Sequence, residues 1–121
     1  ILGFTCLNDV TARDVQQADG QWSRAKGMDG FAPIGPWITD ETDGNDLKIE
    51  TRLNGVTVQS SRTSMFMTAI PEMLEFITAS MTLEPGDVVA TGTPAGIGPM
   101  QSGDVVEVDI SHIGVLRNTV K

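Results

Sequence analysis

Asn54-Gly55 separates two stretches in which apolar and polar side chains alternate, Leu47 to Leu53 before it and Val56 to Gln59 after it. Alternation at a period of two sets one group of side chains on each face of an extended strand, and an Asn-Gly pair accepts the positive φ angles of a tight hairpin loop. The spacing therefore predicts a β-hairpin. From Leu83 onward the pattern is again extended: a Pro85-Gly86-Asp87 turn, a strand from Val88 to Ala90, a Gly- and Pro-rich loop, then strands near Val105 to Ile110 and Val115 to Val120. Gly-Asp-Val-Val occurs at Gly86 to Val89 and again at Gly103 to Val106. A true repeat would carry the similarity further, so this reads as repeated turn chemistry.

Helical periodicity is rarer. Ile70, Met73, Leu74, Ile77 and Met81 fall on one helical face, with Pro71 in the first turn, where its missing amide costs nothing. Nearer the start, Ile1 to Leu7 is apolar and extended and ends at Asn8 and Asp9. A polar stretch with helical potential follows from Thr11 to Ala18, with Thr11 as its expected cap, Asp14 completing a weak capping box, and Asp19-Gly20 breaking it. Gln21 to Pro36 holds so many glycines and prolines that it reads as one long ordered loop, followed by a short strand at Trp37-Ile38 and an acidic, solvated turn from Asp40 to Asp46. Cys6, Met65, Met67, Met73 and Met81 are expected to fill core. The whole predicts a single β-rich α+β domain with one or two short helices.

Composition narrows the partners. The chain has 121 residues, 40% hydrophobic and 20% charged, which is globular rather than fibrous or disordered. Its net charge of -8 repels phosphate backbones and anionic headgroups, so neither nucleic acid nor a membrane surface is an expected partner. A single cysteine, Cys6, forms no internal disulfide, and no apolar run approaches the roughly 18 residues of a membrane span, which points to a cytoplasmic protein. The sequence opens at Ile1 in a strand-like segment without an initiator methionine, as a cut or processed polypeptide would.

Two segments carry chemistry. Asn8-Asp9-Val10-Thr11-Ala12-Arg13-Asp14-Val15-Gln16 gathers carboxylates, a guanidinium and an amide at a strand-to-helix junction, and Lys26 follows on the loop after Trp22. Ala90-Thr91-Gly92-Thr93-Pro94-Ala95-Gly96-Ile97-Gly98 offers hydroxyl and amide donors suited to a carboxylate, on a loop whose glycines allow a ligand close to the backbone. From the residues alone, Asp9 reads as a turn or capping carboxylate, Lys26 as a solvated lysine, and the Thr93 loop as a tight turn. His112 reads as a surface residue, and Arg13 as a brace for Asp9 and Asp14.

The Asn-Asp-Val-Thr-Ala-Arg-Asp run, the lysine after Trp22, the Leu83-Glu84-Pro85-Gly86-Asp87 turn and the Thr-Gly-Thr-Pro-Ala-Gly-Ile-Gly loop occur in an order that resembles the fumarylacetoacetate hydrolase family nearly end to end. The resemblance implies a mixed β-roll or sandwich fold built around a divalent ion, Mg2+ or Mn2+, held by three carboxylates. It makes Asp9 a metal ligand, Lys26 the active-site lysine, Gln16 an amide that contacts substrate or orients water, and Thr93 the group that binds a substrate carboxylate. The family's Glu-x-Glu ligand pair and its His and Glu dyad precede the stretch present here, so residues 1–121 correspond to a partial catalytic domain whose amino-terminal part is missing. The implied substrate is a 2-oxo or 1,3-diketo carboxylate chelated to the ion. The implied reaction is that of an acylpyruvate hydrolase, an oxaloacetate decarboxylase or a 2-hydroxyhepta-2,4-diene-1,7-dioate isomerase, and the implied assembly is a homodimer. A competing expectation is a non-catalytic binding or dimerisation module that keeps the fold.

Overall fold

The computed structural model describes residues 1–121. The chain runs β1 (Phe4–Leu7), α1 (Arg13–Asp19), α2 (Ser23–Lys26), β2 (Ile34–Thr39), β3 (Lys48–Leu53), β4 (Val56–Arg62), α3 (Ile70–Thr78), β5 (Val105–Ile110) and β6 (Gly114–Thr119). β1 and β2 pair antiparallel, and the other strands form an antiparallel sheet in the order β4-β3-β5-β6. Asn54 and Gly55 take φ angles of 51° and 80°, as a two-residue hairpin loop requires, and the expected hairpin forms, its second strand continuing to Arg62.

Register sorts the side chains of this sheet. Ile49 lies opposite Ile110, Thr51 opposite Val108 and Leu53 opposite Val106, and Val108 in turn faces Leu116. Because successive residues point to opposite faces, these side chains share one face. Val108, Ile110 and Leu116 join Cys6, Leu47 and Ile113 in the core, with Phe4 and Ile49 packed against it. The thiol of Cys6 donates to the Gly114 carbonyl at 3.4 Å, and burial pushes its pKa up. On the other face Glu50 stands opposite Asp109, a repulsive pairing. Arg52 offsets it by donating to Glu107 at 3.2 Å and to Asp109 at 3.0 Å, while Lys48 approaches Glu50 at 3.0 Å.

Several expectations are corrected. The stretch read as one loop contains α2, because its glycines flank Ser23–Lys26 rather than interrupt it. It also contains the start of β2, where Pro36 is tolerated because that strand pairs only with β1. Thr11 does not cap α1: the N-cap is Ala12, and the Thr11 hydroxyl turns back to donate to the Asp9 carbonyl at 3.0 Å. Val88 to Ala90 joins neither sheet, since no segment of the chain pairs with it. α3 forms with Pro71 in its first turn but buries none of its residues, and Phe76 is 81% exposed. Met65, Met67 and Met81 are likewise exposed, so they fill no core here, and only Met73 is half-buried. The core is built from strand faces, and the segment carrying these methionines lies outside it. No helix is long and apolar enough to cross a membrane.

Two measurements on the full-length protein test this architecture. Leu116→Ala should lower unfolding free energy by about 2–4 kcal/mol in denaturant titrations, and an unchanged midpoint would contradict its place in the core. The Arg62 guanidinium and then the Ser64 hydroxyl hold the Asp46 carboxyl at about 2. A free aspartate titrates near about 3.9, so this stabilisation is complete above that pH and lost as pH falls through the folded value. Asp46→Asn should therefore flatten that part of the acid limb of a stability profile; an acid limb identical to wild type would show that the pair contributes nothing.

Candidate functional site

The Asp9 end of the site is assembled by backbone bonds between short elements. Leaving β1, the chain turns at Asn8, whose amide donates to the Pro33 carbonyl at 3.1 Å, while the Val10 amide closes onto the Asn8 carbonyl at 2.9 Å. Ala12 then donates to the Ala25 carbonyl at 2.9 Å, tying the start of α1 to the end of α2. Ala25 is wholly buried at this seam, so only a small side chain fits there. Arg24 fastens the other end of the pair, donating to Asp19 at 2.7 and 2.5 Å and holding that carboxyl below the usual range.

Lys26, next to the tied Ala25, consequently faces Asp9 and forms an ion pair with its Oδ2. Their side chains are 28% and 38% exposed, half in water. The Lys26 ammonium also lies 5.5 Å from the centre of the Trp22 ring, a cation–π distance. Gln16 sits one turn along α1, where its Oε1 accepts from Arg13. Arg13 therefore braces Gln16 and not the two aspartates, contrary to the sequence reading. That bond occupies the amide oxygen of Gln16 and leaves its nitrogen without a partner in the chain. Beside Asp9, the Asn8 side-chain nitrogen is buried without a partner.

Thr93 belongs to a different element. Its hydroxyl accepts a 2.8 Å bond from Gln59 Nε2, and no hydrogen bond connects it with Asp9, Gln16 or Lys26. Gln59 is 8% exposed and stands opposite Thr51 on the core-facing side of β4. The sequence reading assigned it no role. Alternation from Val56 would set Gln59 with Thr57 on the outward side, and it is the register shift in the β3–β4 pairing between Thr51 and Arg52 that turns Gln59 inward. An open cleft of about 780 Å3 lies elsewhere, lined by Asp40, Glu41, Asp43, Asp46, Arg62 and His112 among others, and none of the four candidate residues reaches it.

As a donor set for a divalent ion, these residues fit one corner of a site and no more. Asp9 offers a hard oxygen, but no group of three or more His, Cys, Asp or Glu side chains is arranged to hold a metal. A complete coordination sphere would need ligands from outside residues 1–121.

The structure matches that of 5-carboxymethyl-2-hydroxymuconate delta-isomerase from Mycobacterium smegmatis with a TM-score of 0.97 and 51% identity, over 99% of this chain and 48% of that one. It matches maleylpyruvate hydrolase from Sphingobium sp. SYK-6, solved with manganese(II) and pyruvate, at a TM-score of 0.88 and 35% identity, over 98% of this chain and 44% of that one. In sequence it is 38% identical over 130 residues to the oxaloacetate tautomerase YisK of Bacillus subtilis, covering 99% of this chain and 43% of that protein. The chain spans about half the length of the curated relatives it matches. Residues 1–121 match the family described as fumarylacetoacetate (FAA) hydrolase C-terminal from end to end, and the chain belongs to that family.

Proposed function

We propose that residues 1–121 form part of the catalytic domain of a metal-dependent enzyme that cleaves or rearranges 2-oxo or 1,3-diketo carboxylates. The observation that carries this reading is the Asp9–Lys26 pair at the strand-to-helix junction, an acid and a base held together by two short helices in a fumarylacetoacetate hydrolase family chain. Support for the ligand class comes from the maleylpyruvate hydrolase relative, whose structure contains manganese(II) and pyruvate.

In this reading Asp9 lends one oxygen to a Mg2+ or Mn2+ ion that polarises the 2-oxo carbonyl when bound. Lys26 carries the charge that offsets the anion developing on the substrate, with Trp22 limiting where its ammonium can swing. Gln16 presents its amide nitrogen toward substrate or water, because Arg13 occupies the oxygen. Thr93 binds a substrate carboxylate through its hydroxyl. The reading includes hydrolysis of an acylpyruvate, decarboxylation of oxaloacetate and isomerisation of a dienedioate, carried out by a homodimer of the longer polypeptide.

The test assays the full-length protein against oxaloacetate, acetylpyruvate and fumarylpyruvate. Turnover of at least one should vanish on chelation and return with Mg2+ or Mn2+; turnover indifferent to chelator would sink the metal assignment. Asp9→Ala should weaken metal binding at least about 100-fold, since even groups that merely support a ligand cost 10–100-fold, and calorimetric titration reads this directly. Lys26→Met should leave stability within about 1 kcal/mol, as for other half-exposed pairs, while lowering kcat about 100-fold or more. Loss of stability without loss of kcat would make the pair structural.

A further inference from the structure

The Gln59 side chain reaches from β4 into the loop that follows residue 90. Its Nε2 donates to the Thr93 hydroxyl oxygen at 2.8 Å and to the Pro94 carbonyl at 2.7 Å. One amide nitrogen has two hydrogens, and both are engaged by this loop. The Pro94 carbonyl also decides which way the amide points. Turned over, Gln59 would set its own oxygen against that carbonyl, two acceptors with no proton between them in a buried place.

A hydroxyl that accepts from an amide keeps its own proton, and Thr93 donates that proton to nothing in the chain. The loop also comes close to β4 at Gly96, three residues beyond Thr93. Gly96 has a φ of 108° and lies so close to the Val58 carbonyl that a Cβ there would collide with it. The loop is therefore bonded to β4 at Pro94 and closely apposed to it at Gly96, while Thr93 stays exposed.

We propose that Gln59 is a positioning residue: by filling the acceptor side of the Thr93 hydroxyl, it fixes that hydroxyl as a donor aimed at a carboxylate oxygen of the substrate. This rests on the reading of Thr93 as the carboxylate-binding group. Gln59 itself touches no substrate. Its effect appears in how tightly the carboxylate is held, and only while the Thr93 hydroxyl is present.

The test is a double-mutant cycle on KM in the full-length, metal-loaded enzyme, with melting curves to verify folding. Thr93→Val should raise KM about tenfold, the effect of one hydrogen bond to a charged group. In Gln59→Glu the new carboxylate accepts the hydroxyl proton and so withdraws it from substrate, and KM should rise by a similar factor. The double variant should be no worse than Thr93→Val alone, and Thr93→Ser should restore KM close to wild type. If repulsion from Pro94 unfolds Gln59→Glu, Gln59→Met takes its place in the cycle, since it removes the donors without adding charge. Effects that multiply in the double variant, or a Gln59 variant with normal KM, would overturn the proposal and leave the Thr93 reading standing. A normal KM in Thr93→Val would overturn both.

Discussion

The register of β3 against β5 is the constraint on which the rest of the molecule depends. A slip by one residue would turn Ile49 and Leu53 outward and bring Arg52 toward the core, so both faces would fail together. The hairpin loop guards against that slip. Asn54 donates its backbone amide to the Val105 carbonyl at 2.8 Å, accepts from the Val105 amide at 2.9 Å through its side chain, and donates to Asp104 at 2.8 Å. A residue selected for its turn conformation thereby also clamps the start of the neighbouring strand. With that register set, the charged residues of β3 and β5 meet across the outer face, and a bulge in the β3–β4 pairing between Thr51 and Arg52 turns Gln59 inward on β4.

The other half of the molecule relies on short-range fastening. α1 and α2 are too short to be stable alone, as helices of their size are in water. Their persistence comes from the Ala12–Ala25 backbone bond, the buried methyl of Ala25 and the Arg24–Asp19 fork. The same three contacts place Lys26 against Asp9. Rigidity of the pair and the geometry of its charges are one property.

Much of this was legible in the sequence, and the reason lies in locality. The hairpin, α3, β5 and β6 are announced by periodicity and turn chemistry within a few residues, which is where propensity acts most directly. The Asp9, Gln16, Lys26 and Thr93 candidates came from motif order, and the fold brings the first and third into contact and ties Thr93 to another sheet. What escaped depends on distant partners. Thr11 has the composition of a cap, yet its hydroxyl bonds backward to Asp9. Val88 to Ala90 has strand composition but no neighbour to pair with. The methionines are apolar enough for a core that forms elsewhere. Gln59 is an unremarked amide until the loop 34 residues later in the chain folds onto it.

The Gln59–Thr93 bond also closes the base of a long excursion that leaves the sheet after β4, carries α3, and returns through the turn at Pro85 to Asp87. Both ends of the excursion are pinned on β4, whatever its contour between them. Closure entropy grows only with the logarithm of contour, about 0.6 kcal/mol for a doubling. Insertions or deletions between the 3-10 turn at Thr63–Met65 and the returning turn therefore remodel what the excursion presents to its surroundings while the threonine hydroxyl keeps its place. The clasp separates a segment free to diverge in length from the hydroxyl anchored at its root.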